Sequence, residues 1–163
     1  MKIQVRIASA AEAPLVAEIL LEAVEWMENS GISLWQPSDV SLVMIEDDVS
    51  SGRFVLACAG KNAVGTMKHQ DADEVHWPDA RPGEAVYVHK VAVRRVVAGG
   101  KVSRALLSWA VTYTSAQGLP FLRLDCDSGR PKLRAVYERF VFNHHSESPR
   151  VSSRLLPLRR WSN

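Results

Sequence analysis

The sequence predicts an α/β domain of the α+β type, in which about four helices accompany a mixed, mostly antiparallel sheet of six to seven strands. Two observations support this prediction. Short apolar runs alternate in the way that strands do, and longer segments between them repeat their apolar residues every three or four positions, as helices do. The resulting order of elements is β-α-α-β-β-β-α-β-α-β-β.

The predicted elements follow one another along the whole chain. Strands are predicted at residues 3–8, 53–59, 63–69, 86–95, 121–126, 141–145 and 151–161. Helices are predicted at residues 9–29, 40–49 and 101–117, and from residue 131 onward. Since no internal repeat or linker-like segment occurs, we expect a single domain over residues 1–163.

Local signals indicate where these elements begin and end. Ser9, with Glu12 three residues later, is a capping-box pattern that opens the first helix. Gly118 ends the third helix, and Pro131 suits the first position of the fourth. Residues 70–83 form a long polar loop, and loops of this length inside a compact domain are often functional.

Composition and charge limit the classes of function. The chain is 47% hydrophobic and 23% charged, as expected of an ordinary globular domain, and its formal net charge is +2. This charge argues against nucleic acid as a partner, although an arginine-rich C-terminal tail keeps polyanion binding open as an alternative. No apolar run of membrane-spanning length and no signal-peptide pattern occur, so we expect a cytoplasmic protein and no membrane partner.

Cysteine and histidine spacing shows no metal-binding pattern. Cys58 and Cys126 lie in separate strand-like runs, and we expect both to be reduced and buried. The histidines are scattered, apart from the neighbouring His144 and His145, whose side chains would point in different directions. We therefore predict no metal site.

A strand, a glycine loop and a helix follow one another over residues 87–107. The strand runs to Val93, the loop contains Gly99 and Gly100, and helical periodicity begins at Lys101. A helix N-terminus offers unpaired N–H groups and a positive dipole end, and glycines let a bulky anion approach them. The basic residues around this loop are Arg94, Arg95, Lys101 and Arg104. The stretch predicts a phosphate or pyrophosphate site, with a plain strand–helix connection carrying a solvated basic face as the alternative.

Two motifs resemble those of the GCN5-related N-acetyltransferases, a superfamily of acetyl-CoA-dependent enzymes. In the first, the strand end Val91-Ala92-Val93 and the helix segment Ala105-Leu106-Leu107 flank the glycine loop. In the second, residues 130–142 (RPKLRAVYERFVF) are similar to the family pattern Asn-Pro-x-Leu-Arg-x-x-Tyr-Glu-x-x-Gly-Phe. The segments GEAVYVHKVAVRR and LRLDC resemble a bacterial branch that acts on small molecules.

The chain departs from the family pattern at four positions. Ala98 stands where arginine or glutamine is usual, and Lys101 stands where the next glycine is expected. Arg130 replaces the asparagine of the second motif, and Val141 replaces its glycine. Lys101 is compatible with pyrophosphate binding if its backbone angles are helical, since backbone N–H groups make the contacts.

The resemblance implies that acetyl-CoA is the co-substrate. The fourth and fifth strands would splay apart to hold the pantetheine arm, and the N–H of Val91 would stabilise the developing oxyanion. The pyrophosphate would lie on the amides from Ala98 or Gly99 to Arg104. The implied cofactor-binding residues are Val91, Ala92, Val93, Ala98, Gly99, Gly100, Lys101, Val102, Ser103, Arg104 and Arg130.

The resemblance also implies the reaction, which is direct acetyl transfer to a primary amine in a ternary complex. Tyr137 matches the family tyrosine and would act as the general acid for the leaving thiolate, or else it is a packed core aromatic. The general base is open between Glu84 and His89. Alternation along a regular strand places His89 on the same face as Val91, and a satisfied core histidine is its alternative role.

Other residues near these candidates have weaker signals. The carboxylates of the long loop, which are Asp71, Asp73 and Glu74, either act through water or keep the loop soluble. Trp35 and Trp77 lie in loops, and we expect them to line a pocket for the acceptor.

Two other classes of function compete with the enzyme. One is a catalytically weak acyl-CoA-binding or regulatory domain of the same fold, favoured by Ala98, Lys101 and Arg130. The other is an anion- or nucleic-acid-binding module that uses the arginine-rich tail. For the enzyme, we expect a small-molecule or peptide amine as the acceptor. The sequence leaves the oligomeric state open, with an exposed last strand as a candidate surface for pairing in a homodimer.

Overall fold

The computed structural model describes residues 1–32, 34–127, 131–140, 142–148 and 151–157. Within these ranges the strands are β1 (Ile3–Ile7), β2 (Phe54–Ala59), β3 (Asn62–Gln70), β4 (Ala85–Val93), β5 (Phe121–Asp127), β6 (Asn143–Ser148) and β7 (Val151–Pro157). The α-helices are α1 (Ala13–Asn29), α2 (Leu42–Ser50), α3 (Lys101–Ala116) and α4 (Pro131–Arg139). Short 3-10 turns lie at Ala10–Glu12, Pro37–Val40 and Arg95–Val97.

The predicted fold class and the predicted order of elements are confirmed. The sheet order is β1-β2-β3-β4-β5-β7-β6, and all of the strand pairings described below are antiparallel except that of β4 with β5. Element boundaries differ from the predicted ones by a few residues. The first helix was predicted from residue 9, but α1 begins at Ala13 after a 3-10 turn. β6 includes Glu147 and Ser148, although the sequence placed both in a connection.

The chain divides into two compact units. The first comprises residues 1–68 and 90–106, and the second comprises residues 69–89 and 107–163. In the first unit, β1 pairs with β2 from Ile3↔Ala59 to Ile7↔Val55, and β2 pairs with β3 through a ladder that shifts register between Ala57 and Cys58. The half-buried Cys58 is a free thiol, as the sequence predicts, and the Cys126 side chain lies outside the described residues.

The core of the first unit forms because α1 presents one apolar stripe. Val16, Leu20 and Val24 recur every fourth residue, and each is fully buried. They belong to a cluster that includes Phe54 and Leu56 of β2. Burial of side chains of this size stabilises the fold by about 1.5–3 kcal/mol each, so this stripe holds α1 in place.

The second unit contains the only parallel pairing among the described ladders. β4 pairs with β5 from Ala85↔Phe121 to Val88↔Leu124, and the ladder stops there although β5 continues to Asp127. His89 and Asp125 are the next residue of each strand. The parallel ladder therefore ends with two polar residues at the carboxyl end of its strands, where open α/β sheets commonly bind ligands.

The last strand is not an edge, which corrects the expectation that an exposed last strand would mediate a dimer. β7 pairs antiparallel with β5 from Phe121↔Pro157 to Asp127↔Val151, and it also pairs with β6. β6 is therefore the edge strand of this unit. The described helices include none that is long and apolar enough to cross a lipid bilayer.

Gly65 of β3 is the position in the first unit where a methyl group has least room. A Cβ there would lie 2.7 Å from Val102 Cγ1 and 3.0 Å from the carbonyl oxygen of Ala92. We expect Gly65→Ala to lower the free energy of unfolding by about 1–3 kcal/mol, because the added methyl group overpacks this contact. Urea unfolding measures the loss. If Val102→Ala is added, the double variant should lose less than the sum of the two single changes, and strict additivity would contradict the steric explanation.

Glu12 stabilises the start of α1 in a pH-dependent way. Its carboxylate accepts hydrogen bonds from Arg6 Nη2 (2.6 Å) and from the N–H of Ser9 (2.9 Å), and these contacts lower its pKa to about 2. A lowered carboxyl pKa adds stability that is complete above pH 4.5 and is lost as the pH falls towards 2. Because Arg6 is half-exposed, solvent screening limits the gain to roughly 1 kcal/mol.

We therefore expect Glu12→Gln to destabilise the protein at pH 7 and to have little effect near pH 2. Thermal unfolding followed over this pH range measures the difference. Glu46→Gln, which alters an exposed carboxylate of α2, is the matched control. An equal loss for Glu12→Gln at both pH values would show that the carboxylate charge is not responsible.

Candidate functional site

The glycine loop of the first unit ends in an open helix N-terminus. Gly99 and Gly100 have φ values of 151° and 94°, in a region that residues with a side chain rarely adopt. The N–H of Arg104 donates to the carbonyl oxygen of Gly100 at 2.9 Å, so α3 begins its hydrogen bonding there. The N–H groups of the first turn, from Lys101 to Ser103, consequently have no acceptor within the helix.

The space beside this loop is open. A Cβ built on either glycine would meet no atom within 4 Å. Lys101 is the first residue of α3, and it is not among the positive-φ residues of the described chain. Its backbone therefore meets the condition under which the sequence allowed a lysine in place of the family glycine. The Lys101 and Arg104 side chains are exposed, whereas Val102 is buried.

Arg94 does not contribute a free charge to this loop, which corrects one sequence expectation. Its guanidinium donates to Glu22 at 2.9 Å and to Glu18 at 2.6 Å, and its Nε donates to the carbonyl oxygen of Ala63 at 2.9 Å. The guanidinium of Arg95 lies 4.1 Å from the centre of the Trp26 ring. Arg94 thus ties the loop to α1. The exposed basic residues near the glycines are Arg95, which lies over Trp26, and Lys101 and Arg104 of α3.

The end of β4 is irregular. Lys90 has a φ of 51°, in the left-handed region, and it is the one non-glycine residue of the described chain with a positive φ. Regular strand alternation does not extend across this residue, so it does not place His89 and Val91 on one face. Val91 and Val93 are half-buried, and Ala92 is buried.

Two histidines and two aspartates of the second unit lie together, and we call them the Asp–His cluster. His89 Nε2 lies 3.3 Å from Asp73 Oδ2, and His89 Nδ1 lies 3.2 Å from Asp125 Oδ1. His76 Nδ1 lies 3.0 Å from Asp73 Oδ2, and His76 Nε2 lies 3.7 Å from Asp125 Oδ2. Each imidazole therefore bridges the two carboxylates.

Local structure positions each member of the cluster. Asp73 begins a tight turn in the β3–β4 loop, where its carboxylate accepts from the N–H of His76 at 3.1 Å and its carbonyl oxygen accepts from the N–H of Trp77 at 3.0 Å. His89 and Asp125 follow the last pair of the β4–β5 ladder. Only 5% of the Asp73 side chain is exposed, so its charge needs compensation from its neighbours.

The same cluster contains a group of potential metal ligands. One ligand atom each from Asp73, His89 and Asp125 lies within 4.8 Å of the others. The sequence predicted no metal site, and spacing along the chain does not reveal this group. The two nitrogens of His89 lie next to different carboxylates of this group.

Glu84, one of the two proposed bases, is held by positive and polar groups. Its Oε2 accepts from the N–H of Arg81 at 3.0 Å and from Arg123 Nη1 at 3.2 Å, and these bonds lower its pKa. Lowering the pKa weakens a carboxylate as a base.

The aromatic candidates have substantial packing roles. Trp77 is 6% exposed, packs with Ala85 and Tyr87, and lies 4.6 Å from the Arg123 guanidinium. Trp35 is half-buried against the core of the first unit, and Lys90 Nζ lies 5.2 Å from its ring centre.

Tyr137 is the general acid that the resemblance implies. It lies on α4 and is 6% exposed, and its ring is 6.0 Å from that of Phe142. Arg130, the implied cofactor contact beside α4, lies outside the described residues.

His76 and Asp125 were not proposed from the sequence, and Asp73 was only one of three loop acids. The available signal was a polar residue directly after the apolar run of each parallel strand, at His89 and at Asp125. The register that brings those two residues side by side, however, depends on the pairing of β4 with β5.

Solved structures show which class of fold this is. A GNAT-family acetyltransferase from Listeria monocytogenes superposes with a TM-score of 0.81 at 22% identity, covering 96% of this chain and 95% of that one. The PaiA N-acetyltransferase of Thermoplasma acidophilum gives a TM-score of 0.80 at 14% identity, covering 96% and 99%. The fold is therefore that of the acetyltransferases of this type.

Sequence comparison shows the family itself. The model of the acetyltransferase (GNAT) family matches residues 18–142. An uncharacterized N-acetyltransferase of Bacillus subtilis, YesJ, is 25% identical over 137 residues, which is 80% of this chain and 76% of that protein. This chain belongs to the GNAT family of acetyltransferases, and the resemblance found in its two motifs is confirmed.

Proposed function

We propose that this protein transfers an acetyl group from acetyl-CoA to a primary amine by direct attack in a ternary complex. The observation that carries this proposal is the start of α3, where the space beside Gly99 and Gly100 is open and the N–H groups of the first turn have no acceptor within the helix. Family membership supports it. The Thermoplasma relative was solved in complex with coenzyme A, which is the ligand that such a turn suits.

Two backbone amides in the range proposed for the pyrophosphate already donate to carbonyl oxygens of the protein. The N–H of Ala98 donates to the carbonyl oxygen of Arg95 at 3.2 Å, and that of Arg104 donates to Gly100. Ala98 and Arg104 are the first and last residues of the range that the sequence suggested for the pyrophosphate contacts. We therefore assign the pyrophosphate contacts to the amides from Gly99 to Ser103, with the exposed Lys101 and Arg104 side chains supplying positive charge.

The proposed chemistry assigns one task to each catalytic group. A base removes a proton from the ammonium form of the acceptor, and the amine nitrogen then forms a bond to the acetyl carbon. The N–H of Val91 stabilises the negative charge that develops on the carbonyl oxygen. The C–S bond breaks as the carbonyl re-forms, and Tyr137 donates a proton to the departing thiolate. The nitrogen loses its second proton in the same step, which restores the Tyr137 hydroxyl and leaves a neutral amide.

The acceptor in this proposal is a small-molecule or peptide amine. Trp35 and Trp77 are the proposed aromatic contacts, with Trp77 offering less ring surface because of its burial. Arg130 remains a proposed contact of the co-substrate.

Binding is tested first with acetyl-CoA in a thermal-shift titration, with CoA and ATP as comparisons. Ligand at about 100 times its dissociation constant stabilises a fold by about 2.7 kcal/mol, which raises the melting temperature of a domain of this size by a few degrees. Thiol release is then measured over a panel of amines. Binding without release by any amine would favour the regulatory acyl-CoA-binding alternative, and the absence of a shift at millimolar acetyl-CoA would contradict the proposal.

A further inference from the structure

We propose that the Asp–His cluster is a binding site for Zn²⁺ or a chemically similar transition-metal dication, with Asp73, His89 and Asp125 as its protein ligands. The proposal departs from the expectation of no metal site, which rested on the spacing of residues along the chain. It concerns the second unit alone, and it does not depend on the proposed acetyl transfer.

The distances in the cluster match the spacing of ligands around one such ion. Zinc binds carboxylate oxygens and imidazole nitrogens at about 2.0–2.2 Å in tetrahedral geometry, which puts neighbouring ligand atoms about 3.3 Å apart. His89 Nε2 lies 3.3 Å from Asp73 Oδ2, and His89 Nδ1 lies 3.2 Å from Asp125 Oδ1. One ligand atom from each of the three residues lies within 4.8 Å of the other two. Small side-chain rotations therefore bring the three donors around one ion.

His89 offers one nitrogen to the ion and keeps the other for a hydrogen bond. A histidine ligand usually donates its second N–H to a carboxylate or a carbonyl oxygen, which fixes the orientation of the ring. Each nitrogen of His89 has a carboxylate oxygen beside it, so the nitrogen that does not bind the ion has an acceptor nearby. Gln70 Nε2 lies 3.2 Å from His89 Nε2 and donates to the carbonyl oxygen of Ala72 at 2.8 Å. This neighbour is an uncharged amide, so it adds no charge that opposes a cation.

The charge of the cluster favours a cation. Asp73 and Asp125 bring two carboxylates together on side chains that are only 5% and 20% exposed. Within the part of the chain that the structure describes, both carboxylates form ion pairs with His76 and His89, and neither pairs with a lysine or an arginine. A carboxylate removed from water needs compensating charge, and a dication supplies two positive charges for two negative ones.

An unsatisfied oxygen also indicates an ion. Asp125 Oδ1 is buried and has no hydrogen-bond partner among the described residues, although His89 Nδ1 is 3.2 Å away. Buried polar atoms almost always have a hydrogen-bond partner, and an exception calls for an explanation such as a bound ion. A metal–oxygen bond satisfies this atom, so the observation supports the site independently of the charge balance.

The donor set indicates which kind of ion the cluster suits. An imidazole nitrogen together with carboxylate oxygens suits Zn²⁺ and similar dications, whereas Mg²⁺ prefers oxygen ligands and retains several waters. His76 Nδ1 lies 3.0 Å from Asp73 Oδ2, so His76 positions that carboxylate. Three protein ligands leave a fourth tetrahedral position for water or another small ligand.

The test titrates Zn²⁺ into full-length protein that has been stripped of metal with EDTA, and calorimetry gives the stoichiometry and the dissociation constant. We expect one site per chain and binding of Mg²⁺ that is at least tenfold weaker. Asp73→Asn and His89→Gln should each raise the dissociation constant for Zn²⁺ at least tenfold, because each removes a ligand. Asp71→Asn removes the same charge at an exposed position of the same loop, so this control should bind Zn²⁺ as the wild-type protein does.

Unmodified protein gives a second readout that does not require the variants to fold. Zn²⁺ should shift the NMR signals of the His89 imidazole and raise the melting temperature by a few degrees. Failure of the wild-type protein to bind Zn²⁺ at millimolar concentration would overturn the proposal. Wild-type affinity in folded Asp73→Asn and His89→Gln would do the same, since the ion would then bind elsewhere, and equal affinity for Mg²⁺ would overturn the choice of ion. None of these results bears on the acetyl-CoA titration, so this site and the proposed function fail or stand separately.

Discussion

Replacing Tyr137 with phenylalanine should lower kcat about 100-fold, with little change in the KM for acetyl-CoA. A general acid contributes about 10²–10⁴-fold when it protonates a leaving group in the transition state. The substitution removes only the hydroxyl, and the ring keeps its place on α4 beside Phe142. A loss confined to kcat indicates an interaction made in the transition state and not in the ground state.

The matched control for this prediction is Tyr113→Phe. Tyr113 is a half-buried tyrosine of α3 that stacks on Trp109 with ring centres 4.9 Å apart, and it has no proposed role in the reaction. Steady-state kinetics with an acceptor from the amine panel measure both variants, and thermal unfolding checks that both are folded. A kcat for Tyr137→Phe within twofold of that of Tyr113→Phe would leave Tyr137 with a packing role only.

Lys101→Glu should weaken acetyl-CoA binding while preserving or raising the stability of the protein. A glutamate in the first turn of α3 interacts favourably with the helix dipole, by about 0.3–1 kcal/mol. The same carboxylate repels a pyrophosphate bound at that turn. The side chain changes by two charge units, which we expect to cost roughly 1–3 kcal/mol of binding free energy near the protein surface. That cost corresponds to a dissociation constant about fivefold to 150-fold higher.

Lys101→Glu should weaken acetyl-CoA binding without lowering stability, so a loss of folding would not account for the weaker binding. Titration calorimetry gives the dissociation constant, and thermal unfolding without ligand gives the stability. Lys61→Glu makes the same charge change at an exposed position in the turn between β2 and β3, so it controls for the altered net charge. Equal affinities for the two variants would show that the pyrophosphate does not bind at the first turn of α3.

Much of the fold was predictable because its signals are local. The stripe formed by Val16, Leu20 and Val24 identifies α1, since residues four apart share one face of a helix. The pattern of Ser9 and Glu12 identifies its start, and in the structure the Glu12 carboxylate accepts from the N–H of Ser9. Signals of this kind depend only on neighbouring residues, so the order of elements follows from the sequence alone.

The glycine loop before α3 was predictable for the same reason. Gly99, Gly100 and the start of α3 at Lys101 are adjacent in the chain, and a helix N-terminus has unpaired N–H groups wherever it occurs. The sequence did not reveal that Arg94 is bonded to two glutamates of α1, which removes its charge from the loop. That pairing joins residues more than seventy positions apart, and it depends on how α1 packs in the first unit.

The sequence by itself therefore determined the order of elements, the family and the glycine loop before α3. Only the tertiary structure decided which groups surround His89. Asp73, His76 and Asp125 come from a loop and from a strand more than thirty residues away, and they meet because β4 and β5 pair in parallel up to Val88↔Leu124. Tertiary packing also decided that Lys90 adopts a left-handed conformation, which interrupts the alternation of β4. Strand register and backbone irregularity depend on non-local contacts, and no local pattern of residues encodes them.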